Sequence, residues 1–109
     1  MKTTEAMKRM MIFIVETDRH KGTQLSSAIL ERLRKEGCPG ATLFQGAAGF
    51  GSHGKIHTTA LLDLAASLPQ MIILIDNAER IERVRPILEE MISEGFIAVD
   101  DVQATRLSK

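Results

Sequence analysis

Met71-Ile72-Ile73-Leu74-Ile75 is a five-residue apolar run, with Pro69 before it and Asp76-Asn77 after it. A short continuous run of β-branched and large apolar residues reads as a buried strand. A capping residue follows at once, Asp76 or Asn77. Beyond it Ile81, Val84, Leu88, Met91 and Ile92 recur at helical spacing, which predicts a helix with one apolar face. Pro86 removes a backbone donor inside that helix and is expected to kink or divide it. Gly95 stops it. The run therefore fixes a strand-then-helix unit in the second half of the chain.

The first half repeats the unit. Residues 10–15 are a second apolar run, read as a strand buried on both faces and central in its sheet. A polar connection spans residues 16–22. Thr23 is expected to cap a helix whose apolar face is Leu25, Ala28, Ile29 and Leu33, ended by Gly37 and Pro39. Residues 41–45 form a shorter strand. Residues 58–68 fit a short amphipathic helix through Leu61, Leu64, Ala65 and Leu68, although Thr58 and Thr59 equally suit a strand. Residues 96–99 and 102–107 are short extended pieces around Asp100-Asp101, and the last is the candidate fourth strand. Residues 1–8 read as an N-terminal tail without the apolar segment of a signal peptide, and 9–109 as one domain.

The order β-α-β-loop-β-α-β predicts an α+β class: a ferredoxin-like βαββαβ arrangement. Its four-stranded antiparallel sheet carries two helices on one face. The other face is left bare, and an apolar bare face must be covered, so a homo-oligomer is expected.

Composition narrows the function. The 109 residues carry 14 basic and 14 acidic side chains, a formal net charge of zero, which argues against a nucleic-acid binder. The single cysteine, Cys38, cannot form an internal disulfide. No apolar run approaches the length needed to span a bilayer, so an integral membrane protein is not expected. A cytoplasmic location is.

Chemistry concentrates in Gly46-Ala47-Ala48-Gly49-Phe50-Gly51-Ser52-His53-Gly54-Lys55-Ile56-His57, which holds four of the eight glycines. Two nucleotide motifs nearly fit it. Gly49 to Gly54 satisfies G-x-G-x-x-G, and with Lys55 it satisfies G-x-x-x-x-G-K. The P-loop needs Ser or Thr after its lysine to hold magnesium, and Ile56 stands there. The chain is also too short for either full fold. What survives is local: backbone N–H groups of residues 49–54 and the ammonium of Lys55 suit a phosphate or similar anion. His53 and His57 lie four apart, a helical metal spacing, but the glycines disfavour a helix and no acidic residue or cysteine lies in the stretch. Glu16, Asp18 and Arg19 end the first strand, where charges often line a crevice; Glu16 and Arg19 join the candidate site. Arg83 and Arg85 are further phosphate candidates. No nucleophile or orienting carboxylate is paired with a histidine, so a non-enzyme is expected ahead of a small His-dependent enzyme.

Three segments together, residues 16–19, 40–46 and 49–57, followed by Leu68-Pro69 before the run at 71–76, resemble the PII-like family labelled domain of unknown function 190. The resemblance spans about residues 10–107. It implies a ferredoxin-like trimer that binds small effectors, often adenine nucleotides, in clefts between subunits. It also implies a loop between the second and third strands that changes shape with the ligand and contacts a transporter or enzyme. Carried onto this chain, the contacts fall on Gly49, Gly51, Ser52, His53, Lys55 and His57, with Gly54 between them. Typical PII proteins have a modifiable tyrosine in that loop, and this chain has none. The usual nucleotide signature is also not recognisable in residues 93–100. The related copper-tolerance trimers offer the alternative of a metal-responsive binder using His53 and His57.

Overall fold

The computed structural model describes residues 1–50, the backbone of 57–58, and residues 67–109. Eight strands and two helices are present in these residues: β1 Lys2–Val15, β2 Arg19–His20, β3 Thr23–Gln24, α1 Leu25–Lys35, β4 Thr42–Gln45, β5 Ala48–Gly49, β6 His57–Thr58, β7 Pro69–Asp76, α2 Ala78–Met91 and β8 Phe96–Leu107. The main sheet has the order β4-β7-β1-β8, every pair antiparallel. This is the expected ferredoxin-like βαββαβ fold, with both helices on one face.

Period-two alternation sorts the strands into two faces. Met10, Ile12 and Ile14 of β1 and Ile72 and Leu74 of β7 are buried against Leu25, Ile29 and Leu33 of α1 and Ile81, Val84 and Leu88 of α2. The intervening residues Met11, Phe13 and Val15 are only half-buried. The run at 10–15 is therefore central in the sheet, as expected, but buried on one face and not on both.

The N-terminal residues depart from the sequence reading. β1 begins at Lys2, and residues 2–7 pair with 107–102 of β8 in unbroken register, so the expected tail is strand. β8 likewise runs through Asp100-Asp101 without a break. Both carboxylates are matched across the pair: Arg9 reaches Asp100 at 2.6 Å and Lys8 reaches Asp101 at 2.8 Å. Opposite charges on facing strands support the pairing that two adjacent aspartates disfavour.

Two helix boundaries also shift. Thr23 lies in β3, and the N-cap of α1 is Gln24, which makes no side-chain cap bond. In α2 the cap is Asn77, whose Oδ1 accepts from the Arg80 N–H at 2.8 Å. α2 is not divided at Pro86; it continues to Met91, held by Ile81, Val84 and Leu88 in the core. Burial of that face outweighs the roughly 3 kcal/mol that an internal proline costs. Thr58 belongs to β6, the strand alternative for the start of 58–68; residues 59–66 lie outside the described residues.

Candidate functional site

The candidate residues gather at the sheet end where β1 finishes and β7 begins. Val15 pairs with Pro69, and the next residue, Glu16, donates its N–H to the Leu68 carbonyl at 2.8 Å. One residue on, the Gly46 N–H donates to the Pro69 carbonyl, also at 2.8 Å. The hydroxyls of Thr17 and Ser67 meet at 2.6 Å. So the chain entering β7 ties the turn after β1 to the foot of the glycine stretch.

Residues 16–24 fold as a turn followed by a small hairpin. Asp18 Oδ2 accepts from the Val15 N–H at 3.0 Å, and the Asp18 carbonyl accepts from the Leu25 N–H at 2.9 Å. Asp18 thus braces a turn. β2 and β3 pair through Arg19–Gln24 and His20–Thr23. Lys21 and Gly22, with φ of 50° and 82°, make the two left-handed steps of a tight hairpin turn. The Arg19 side chain is exposed at this hairpin, and Glu16 is half-buried.

The glycine stretch leaves the sheet from β4. Phe44 and Gln45 pair with Met71 and Gln70, then Ala48 and Gly49 pair with Thr58 and His57 in a second, two-stranded piece. Gly46 and Gly49 both lie against the Pro69 ring. Of the candidate binding residues, the structure brings Gly49, the His57 backbone and Glu16 to this one end of the sheet, with Arg19 on the adjacent hairpin. Gly51, Ser52, His53, Gly54 and Lys55, and the His57 side chain, lie outside the described residues.

Two glutamines that the sequence reading did not single out belong here. Gln70 is only 4 % exposed, and its Nε2 donates to Gln45 Oε1 at 2.9 Å. Gln45 Nε2 reaches the Pro69 carbonyl at 3.4 Å. The buried Oε1 of Gln70 has no hydrogen-bond partner among the described residues. Exchanging O and N in both amides would not cure this: one polar atom of Gln70 would stay unpaired, and Gln45 Oε1 would face the Pro69 carbonyl. The available signal was a glutamine at each strand end that joins the glycine stretch.

Other sequence candidates are already engaged. Arg83 donates to Glu36 Oε1 and to the Glu36 carbonyl, and Arg85 pairs with Glu82 and Glu89. Asp76, buried at the end of β7, is held by Arg80 at 2.8 and 3.0 Å. That hydrogen bond, with the charge attraction behind it, holds the Arg80 guanidinium above its ordinary pKa. Burial, followed by the Asp76 carboxylate, pushes the Cys38 thiol up. Little thiolate forms at neutral pH, which weighs against a nucleophilic role.

Residues 7–104 match the family model DUF190, described as uncharacterized ACR, COG1993. The chain belongs to the DUF190 family. Two UPF0166 proteins are similar to it. That of Aquifex aeolicus (strain VF5) is 34% identical over 102 residues, covering 92% of this chain and 94% of its relative. MJ1524 of Methanocaldococcus jannaschii is 34% identical over 95 residues, covering 86% and 87%. Among solved structures, CPII from Thiomonas intermedia K12, a nitrogen regulatory PII-like protein bound to ADP, AMP and bicarbonate, superposes with a TM-score of 0.65. It is 22% identical, and the match covers 95% of this chain and 92% of CPII. A PII-like signalling protein of Thermus thermophilus, TTHA0516, gives a TM-score of 0.66 at 18% identity, covering 93% and 91%. At these identities the structural likeness establishes the fold: this DUF190 chain is PII-like in architecture.

Proposed function

We propose that this DUF190 protein is a PII-like regulator that binds an adenine nucleotide and reports it through the glycine stretch to a partner protein. The observation that carries the reading is the departure of that stretch from the sheet end between β4 and β7, in a fold shared with an ADP- and AMP-bound protein. Backbone N–H groups of residues 49–54 and Lys55 would receive phosphate, with Ser52, His53 and His57 as further contacts. Glu16 and Arg19 would line the same end. Ligand binding would favour one arrangement of the stretch by differential affinity, which is all a switch of this kind requires. The protein would act as a homotrimer in the cytoplasm, without catalysis, on a transporter or enzyme target.

The apolar open face supports assembly. Phe44, Ile75 and Phe96 are 50, 43 and 64% exposed, a concentration that monomers seldom leave uncovered. Among the described residues, no helix is long and apolar enough to cross a membrane.

Isothermal titration of ADP, AMP and ATP into protein of known native mass tests both parts. Saturable binding to a trimer is expected, and Lys55→Ala should weaken it about tenfold or more by removing a charge-assisted phosphate contact. A trimer that takes up none of the three at millimolar ligand would remove the nucleotide reading. A monomer would remove the assembly.

A further inference from the structure

β1 and β8 run on together past the rest of the sheet. β7 stops pairing with β1 at Lys8, opposite Asp76, whereas residues 2–7 of β1 still pair with 107–102 of β8. At the far end the Met1 amine donates to the Ser108 carbonyl at 2.6 Å, and the Ser108 N–H donates to the Met1 carbonyl at 3.0 Å. The result is a two-stranded ribbon that extends about 20 Å beyond Lys8. Such a ribbon alone is marginal in water. Residues 1–6 are exposed, as are Gln103 and 105–109. Its apolar side chains are few: Ala6, Met7, Val102, Ala104 and Leu107. What it offers is main chain. Among the described residues no strand lies beyond β8, and none lies beside 2–7 on the side where β7 has ended. Both edges therefore present outward N–H and C=O groups, and neither segment holds a proline or glycine to blunt them.

We propose that this ribbon joins copies of the chain edge to edge: the outer edge of residues 102–107 in one copy pairs with the free edge of residues 2–7 in the next. The two edges match in length and run in opposite directions, as antiparallel pairing requires. Charge favours the same occupant. Glu5 and Arg106 fall on the open face, at even steps from the stacked Phe13 and Phe96. Both are exposed, and neither forms an ion pair among the described residues. A shared sheet sets Glu5 of one copy beside Arg106 of the next, an opposite-charge pair across strands. A lipid surface would find little apolar area to bury on so polar a ribbon. The contact is head-to-tail, so each copy's β8 edge is taken by the next copy's β1 edge until a ring closes and no edge is left. The proposal rests on the assembly part of the reading above and is independent of the nucleotide.

Native mass and deuterium uptake of the full chain test it. Glu5→Arg and Arg106→Glu each set like charges side by side and should weaken assembly about tenfold or more. The double variant restores opposite charges and should recover assembly, which surface damage at two sites would not do. In wild type, the amides of residues 102–107 that face away from β1 should exchange at least about tenfold faster once dilution frees the subunits. An assembly that withstands both single reversals overturns the proposal. So does a double variant no better than either single one, or an assembly whose outward amides exchange as fast as in the free subunit. Each of these leaves association through the open face standing. A chain that is monomeric at every concentration removes the assembly reading, and this proposal with it.

Discussion

The two faces of the sheet are built from alternate residues of the same strands, yet they do different work. On the covered face Met10, Ile12, Ile72 and Leu74 meet both helices and are sealed from water. On the open face Phe13 stacks on Phe96 with ring centroids 4.7 Å apart, and Met11, Met71 and Ile73 continue the apolar surface. One-residue steps along β1 thus pass between a closed core and a surface that no described residue seals. The covered face carries folding within one chain; the open face leaves Phe44, Ile75 and Phe96 exposed. Each also holds an ion pair that can be set against the other: Arg80–Asp76 on the covered side, Arg9–Asp100 on the open side.

The comparison breaks most easily at Ile12, which is fully buried between the register partners Ile72 and Ile97. Ile12→Ala should cost about 2–5 kcal/mol through lost burial and the cavity left behind. Chemical denaturation reads it as a lower midpoint at an unchanged slope. A loss below about 1 kcal/mol would mean that the helix layer is not the folding core.

Asp76→Ala should come next, at roughly 1–3 kcal/mol. It strips the partner from Arg80 and the acceptor from the Asn77 N–H at the start of α2. The same denaturation series measures it, and a neutral result would show that α2 is placed by its apolar face alone.

On the open side the expected effect moves from stability to mass. Phe96→Asp removes a stacked pair worth about 0.5–1.5 kcal/mol within the chain. Its main consequence should be loss of assembly, because an unpaired carboxylate at the centre of an apolar contact is not tolerated. Sedimentation of wild type and variant decides it. An assembly unchanged in mass would clear the open face of any role in association.

How much of this was legible in the sequence follows from which interactions are local. The two strand-helix units, their apolar faces and the ferredoxin-like order were readable because period-two and period-3.6 patterns are written in consecutive residues. The continuous β8 was not, because Asp100 and Asp101 look like a break until Arg9 and Lys8, near the other end of the chain, are seen opposite them. The strand at residues 2–7 was hidden for the same reason: its polar residues gain order only from their pairing with β8. At the candidate site, glycine spacing located the stretch. It could not show that Pro69 is what Gly46 and Gly49 close upon, nor that Gln70 is buried with an oxygen unpaired among the described residues.

The smallest effect compares the two ion pairs through acid. Two hydrogen bonds from Arg9, with its charge, hold the Asp100 carboxyl below its ordinary value, although burial pulls the other way. A carboxyl lowered in the folded state contributes stability that is complete above its unfolded pKa of about 4 and is lost as pH falls through the lower folded value. Asp100→Asn should therefore lower stability slightly at neutral pH, and its difference from wild type should shrink away as pH falls below about 4. In a free subunit the pair faces solvent, so salt should screen most of the difference. In an assembly that covers the open face, the same pair is withdrawn from water and its acid sensitivity should persist in high salt. Acid titration of wild type and Asp100→Asn at low and high salt thus reads whether the open face is covered. A salt-independent difference in a sample shown to be monomeric would contradict the assignment of Arg9–Asp100 to an exposed face.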